Sequence, residues 1–258
     1  MTQRIVQSLP GEGSLVSQYR AESLQGVAIL MISRHKPQDE TAQCLAQAIS
    51  DGASLVSSSG MTEVSRHRNW VHTRACQTVP TCHDTFVWID DDQVWLPETL
   101  AALVGLCRAI DMAVSGVYVS RKDVANPPVQ ATVLRGLRYS NDYGGVPRLL
   151  PCYSGLGFLA VPAWRARWVH DDSLDYDETL GDRRATVRQV CSAGVIDGQW
   201  HADDASYCRR LWERATGPML APLSVGHLTP AGARWPGVLS PIWDSENQLS
   251  TLALAFQE

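Results

Sequence analysis

The stretch Phe86-Val87-Trp88-Ile89-Asp90-Asp91-Asp92 restricts the fold more than any other part of the chain. Four apolar residues without alternation read as a strand buried on both faces, and the carboxylates end it abruptly. Trp95-Leu96-Pro97-Glu98 then opens a helix, with proline in the first turn and Leu96, Leu100, Leu103, Val104 and Cys107 on one face. Acids between a strand and a helix lie at the carboxyl edge of an α/β sheet, where ligands bind. Three adjacent carboxylates repel one another unless water or a cation balances them. Mn or Mg suits such oxygen donors, because Mg in particular takes one or two protein carboxylates and completes its shell with water and phosphate. A solvated acidic turn before a helix fits the same spacing.

The rest of the chain repeats the rhythm. Val27 to Ile32 is a second buried run, stopping at Ser33-Arg34-His35, and a helix follows with Thr41, Cys44, Leu45, Ala48 and Ile49 as its stripe. Leu55-Val56 is a short strand running into a serine turn. Thr62 then caps a helix that carries Arg66, Arg68 and Asn69, and Met112 to Val119 is a further strand. Strands alternating with helices predict an α/β fold with a mostly parallel central sheet flanked by helices. Hydrophobic residues make up 45% of the 258, enough for a sizeable core.

Beyond Asp123 the pattern loosens into glycine- and proline-rich loops with short strands, one of them around Gln130 to Leu134. Tyr153-Ser154-Gly155-Leu156-Gly157 is a glycine turn leading into the buried run Phe158 to Pro162. Trp164 and Trp168, spaced i,i+4 on the helix expected next, read as core. Residues 171–197 read as irregular until Thr186. Asp203 and Asp204 open a helix with Ala205, Cys208, Leu211, Trp212 and Ala215 on its inner face; a carboxylate there suits a general base or a plain cap. Leu223 to Leu228 is a last strand, exposing His227. Residues 1–25 read as an irregular leader and 229–258 as an extended C-terminal wrap.

A net charge of −5 leaves the whole molecule without the electrostatic footprint of a nucleic-acid binder. The seven cysteines are odd in number, scattered and free of any CxxC pair, which reads as reduced core thiols in a cytoplasmic protein. The first twenty residues lack the apolar segment of a signal peptide, and no later run has the length of a membrane span.

In their order these motifs resemble the GT-A class of nucleotide-sugar-dependent glycosyltransferases. The likeness runs through Arg68-Asn69, Asp90-Asp91-Asp92, Gly116-Val117-Tyr118, Gly155-Leu156-Gly157-Phe158, Asp203-Asp204 and His227. It implies one Rossmann-like catalytic domain over 26–228, with a nucleotide-binding half at 26–122 and a loop-rich acceptor-side half at 123–228. It further implies Mn or Mg held by Asp90, Asp92 and His227. A nucleoside-diphosphate sugar, with a UDP-sugar favoured, would be positioned by Ser33, Arg34, Arg66, Arg68, Asn69, Asp90 and Asp91. Asp203 or Asp204 would accept the acceptor's proton, and Tyr153, Gly155 and Gly157 would line the acceptor side. Two features depart from the family pattern: the acidic pair lacks the commoner glutamate, and Gln93 with Trp95 makes the turn after Asp92 bulky. Asp171-Asp172 is a rival pair, but it ends a helix where the motif starts one.

The class includes bacteriophage-type members that glycosylate hydroxylated bases in DNA, so modified DNA is the expected acceptor, in a bacterium or phage-infected cell. Arg121, Lys122, Arg135, Arg138 and Arg148 would supply a local basic groove. Two other readings fit part of the pattern. A nucleotidyltransferase that makes a sugar nucleotide shares the strand-end acids but needs a glycine-rich phosphate loop where Ser33-Arg34-His35-Lys36-Pro37 stands; a carbohydrate- or nucleic-acid-binding module would use the nine tryptophans as stacking surface.

Overall fold

The computed structural model describes residues 12–33, 37–60, 63–119, 131–133, 149–180, 183–196, 199–214, 217–229 and 232–234. The first half runs α1 (Glu12–Tyr19), β1 (Val27–Ser33), α2 (Asp39–Ser50), β2 (Ser54–Ser59), α3 (Val64–Thr78), β3 (Thr85–Asp90), β4 (Gln93–Val94), α4 (Pro97–Ile110) and β5 (Val114–Val117). The second half runs β6 (Ala131–Val133), β7 (Leu150–Ser154), β8 (Phe158–Pro162), α5 (Ala163–Asp171), β9 (Asp175–Leu180), β10 (Arg183–Arg188), β11 (Gly194–Ile196), β12 (Gln199–His201), α6 (Asp203–Trp212), β13 (Met219–Ser224), β14 (Gly226–Thr229) and β15 (Gly232–Arg234).

Eight strands form the central sheet in the order β2-β1-β3-β8-β5-β13-β7-β6. β2, β1 and β3 are mutually parallel, β13 is parallel to β5, and β8 and β7 run against their neighbours. Six of the eight strands therefore share one direction, and helices cover both faces. This is the α/β architecture that the alternating pattern predicts, with two reversed strands set into it.

Successive residues of the central strands feed opposite layers of core. Val27, Ile29, Met31, Val87, Ile89, Phe158 and Ala160 pack with α2 and α4 on one face. Ala28, Leu30, Phe86, Trp88, Leu159 and Val161 pack with α3, α5 and α6 on the other. Burial on both faces is why these strands read as unbroken apolar runs. β2 carries serines because it is an edge strand, paired on one side with β1.

Several expectations are corrected. Within the leader, residues 12–19 form α1, whose Tyr19 lies against Gly105 of α4; a Cβ at Gly105 would fall 2.5 Å from the Tyr19 ring. Its amphipathic signal is weak, so tertiary packing decides its state. Leu96 is the N-cap of α4 and stays exposed rather than joining the buried stripe. α3 starts at Val64, with Glu63 at its N-cap position and no side-chain cap bond; Thr62 lies outside the described residues. The charged stretch read as irregular contains the antiparallel hairpin β9-β10. Trp164 and Trp168 are 49% and 38% exposed, so they are not core. Arg34, the basic residues at 121, 122, 135, 138 and 148, and most of the C-terminal wrap lie outside the described residues.

Candidate functional site

Parallel β1 and β3 pair Ile32 with Asp90, which brings Ser33 and the three aspartates to the same carboxyl edge. The Ser33 hydroxyl donates to Asp91 Oδ2 at 2.6 Å, and the Gln38 amide donates to the Asp91 carbonyl at 3.2 Å. β8 enters antiparallel, so the glycine before it, Gly157, sits at that edge too and accepts the Asp90 amide at 3.2 Å.

After β13 the chain passes through Val225 into a second sheet, where β14 pairs antiparallel with β4, setting His227 opposite Gln93. The Leu228 amide donates to the Asp92 carbonyl at 2.8 Å. Two distant segments are thereby locked together, and His227 Nε2 lies 3.2 Å from Asp92 Oδ1. Both residues are buried. His227 Nδ1 faces the Val119 carbonyl at 2.6 Å; a carbonyl only accepts, so Nδ1 carries the proton. Nε2 of a neutral ring then presents a lone pair to a carboxylate oxygen. Two such electron-rich atoms at that distance are held apart unless a proton or a metal ion lies between them.

Arg68, on the buried side of α3, organises the other carboxylates. Its Nη1 donates to Asp203 Oδ2 at 2.7 Å, and its Nη2 approaches Asp90 Oδ1 at 3.4 Å. Burial opposes its charge, but Asp90, Asp203 and Asp204 together more than offset that cost and raise its pKa. Asp204 differs from its neighbour. Its Oδ1 accepts the Ala205 amide at 2.7 Å, and burial raises its pKa above the usual carboxylate range, with Arg68 opposing and Asp203 reinforcing the shift. Burial also raises Asp90, against the pull of Arg68.

Tyr118, the residue after β5, fills the centre. Its hydroxyl accepts the Gly157 amide at 3.0 Å, and its ring meets His227 edge-on at 5.9 Å. A Cβ at Gly157 would fall 2.8 Å from the Tyr118 hydroxyl and 3.0 Å from Asp90 Oδ2. One at Gly155 would strike the same hydroxyl and lie 3.5 Å from Asp204 Oδ2. The two glycines make room for a phenol standing between two carboxylates. Sequence reasoning includes Tyr118 in the Gly116-Val117-Tyr118 turn but gives it no role.

Asp90, Asp91, Asp92, Asp203, Asp204, Ser33, Arg68, Gly155, Gly157 and His227 are thus brought together. Arg66 and Asn69 are occupied elsewhere. Arg66 binds both carboxylate oxygens of Glu178 on β9, while Asn69 accepts the Cys191 amide at 2.7 Å and donates to the Tyr176 hydroxyl at 3.2 Å. Tyr153 is half-buried on β7, in the field of Arg209 of α6 and of Glu213 at its C-cap.

Among the described residues, no group of three or more His, Cys, Asp or Glu side chains is arranged to hold a metal ion. The Asp92–His227 pair does fit an ion that keeps its remaining positions for phosphate and water.

No family model matches the chain, and no curated protein matches it. Among solved structures, A197 from STIV is similar at 13% identity and a TM-score of 0.47, covering 81% of this chain and 90% of that one. No helix among the described residues is long and apolar enough to cross a membrane.

Proposed function

We propose that the chain is a metal-dependent glycosyltransferase that moves a sugar from a nucleoside-diphosphate sugar to a hydroxyl acceptor. The observation that carries the reading is the buried contact between His227 Nε2 and Asp92 Oδ1, with Nδ1 committed to the Val119 carbonyl. With Nδ1 committed in this way, Nε2 is the nitrogen that would bind a metal ion once it carries no proton. Asp92 and His227 would hold Mn or Mg, and the ion would supply Lewis-acid neutralisation of the departing diphosphate.

The chain's own residues account for the remaining roles. Ser33 and Asp91 form a hydrogen-bonded pair at the end of β1, beside the position expected for the nucleoside. Asp90, raised by burial, faces both Arg68 and the Gly157 side of the site. Asp204 is the general base, because Asp203 is bonded to the Arg68 guanidinium and Asp204 is not. As the acceptor oxygen bonds to the anomeric carbon, its proton passes to Asp204 Oδ2; the bond to the diphosphate oxygen breaks and its electron pair leaves with the diphosphate. A hydroxylated base in DNA is the acceptor proposed for this centre.

Thermal-shift measurement with UDP, GDP, ADP, CDP and dTDP, each with and without Mn, tests the reading. One diphosphate raises the melting temperature only with the metal, as expected for a ligand that binds the folded form. Asp92→Ala and His227→Ala abolish that dependence. Absence of any metal-dependent shift, or pyrophosphate release from a nucleoside triphosphate and a sugar phosphate, overturns it.

A further inference from the structure

Antiparallel pairing puts Phe158 beside Ile89 but Pro162 beside Thr85, so α5 begins at the edge of the sheet opposite Asp90. Its two tryptophans, Trp164 and Trp168, lie with ring centroids 5.9 Å apart and planes tilted by 33°. They are among the exposed large apolar side chains described, and the Trp164 indole is tied in place. Asp111 does the holding: its Oδ1 accepts the Trp164 indole N–H and its Oδ2 accepts Arg165 Nη2, both at 3.0 Å. The Arg165 guanidinium lies 4.4 Å from the Trp164 ring centre. Arg165 is only 12% exposed and lies over one face of the ring, while the Trp164 side chain keeps 49% exposure. Arg214 packs 4.5 Å from the Trp168 ring centre and pairs with Asp172. Asp111 is also the only non-glycine among the described residues at positive φ, 50°, where glycine would cost less. Its carboxylate is what glycine could not supply.

We infer that Trp164 and Trp168 form a second binding platform, remote from the acidic centre, for a neutral oligosaccharide. A pyranose ring has a flat C–H face that suits a fixed indole surface and a rim of hydroxyls that suits flanking carboxylates and guanidinium groups. The charges select the occupant. Arg165, Arg167 and Arg214 stand with Asp111, Asp171 and Asp172, so the patch has no net charge to draw a phosphate backbone; Arg167 is directed to the Pro80 and His83 carbonyls. Fixing the rings before the ligand arrives lowers the entropy lost on binding. The platform does not depend on the transfer chemistry proposed for the acidic centre.

Isothermal titration with maltohexaose, cellohexaose and chitohexaose, followed in parallel by tryptophan fluorescence, tests the inference. At least one hexaose binds with a dissociation constant below about 5 mM. Trp164→Ala with Trp168→Ala weakens that binding at least about tenfold while far-UV circular dichroism stays unchanged, since both rings are largely outside the core. Asp111→Ala, which frees the Trp164 ring, gives a smaller loss. Asp92→Ala disables the proposed transfer centre and keeps hexaose binding, so failure of either reading is visible separately. Failure of every hexaose to bind, full binding by the double variant, binding of oligo-dT in place of a glycan with loss in the double variant, or conversion of a dimer to a monomer by the double variant overturns it.

Discussion

The Val119 carbonyl decides which nitrogen of His227 faces Asp92, and the Arg68 guanidinium decides which of two adjacent aspartates is tied to a cation. Neither decision is readable from sequence, because both come from contacts between segments far apart in the chain. The second gives a sharp contrast between neighbours. Asp204→Asn is expected to lower kcat by about a hundredfold or more, as for loss of a general base. Asp203→Asn keeps a hydrogen-bond acceptor for Arg68 and should cost markedly less. Because burial raises Asp204, its ionised form is lost at a higher pH than an ordinary aspartate, so kcat/KM should fall as pH drops through that raised value. An acid limb at the ordinary carboxylate position would remove Asp204 from the role. Tyr118 provides the other test at this scale. Its phenol accepts the Gly157 amide between Asp90 and Asp204, so Tyr118→Phe leaves that buried amide without its acceptor. Single-turnover kinetics should show a slower transfer step with little change in metal-dependent nucleotide affinity. An unchanged rate would reduce Tyr118 to a spacer.

At the scale of elements, legibility follows the source of the signal. β1, β3, β8 and α4 were legible because each buries a continuous run or a wide stripe, and Pro97 marks the start of α4. α1 was not, since its state depends on Tyr19 finding the bare backbone of Gly105. β9 and β10 were missed because they form a charged hairpin that buries little beyond Glu178 and Val187, with a register resting on backbone pairing and on pairs such as Arg184 with Asp177. The acidic centre was legible in its members but not in its wiring: Asp92 and His227 meet through the two-residue strand β4, too short for any periodicity to show. Trp164 and Trp168 misled because i,i+4 tryptophans normally face inward. A tertiary tie also explains how the segment after α1 is held. Arg108 of α4 donates to the Ser23 and Gln25 carbonyls at 2.7 Å each, to Glu22 at 2.7 Å and to Asp84 at 2.9 Å. Arg108→Met should lower unfolding free energy by about 2 kcal/mol, since the partners regain only water. Urea denaturation measures the loss, and limited proteolysis should show new cleavage near residues 20–26.

Across the whole molecule, the sheet separates two layers of core. The face under α3, α5 and α6 carries a titratable group inside its apolar layer, with His72 set among Trp88, Tyr207, Cys76 and His170. His72 stacks on Trp88 at 6.0 Å, and its Nε2 lies 3.3 Å from the Tyr207 hydroxyl. Burial first, and then His170, lowers its pKa to about 3. An unfolded chain binds that proton near the ordinary value of about 6.5, so the unfolded state holds more protons between those values. The stability due to neutral His72 is therefore complete above that ordinary value and declines as pH falls toward the folded value, by up to about 1.4 kcal/mol per pH unit. Asp90 and Asp204 act in the opposite sense: their raised values mean that protonation relieves a cost of folding at acid pH. A bare pH profile of the wild type mixes these effects, and a variant separates them. His72→Leu cannot titrate, so its urea midpoint should change less between pH 7.5 and 4.5 than the wild-type midpoint does, whatever the absolute loss from the missing Tyr207 contact. Equal changes in the two proteins would show that His72 takes up its proton in the folded state, and the apolar enclosure assigned to this side of the sheet would be wrong.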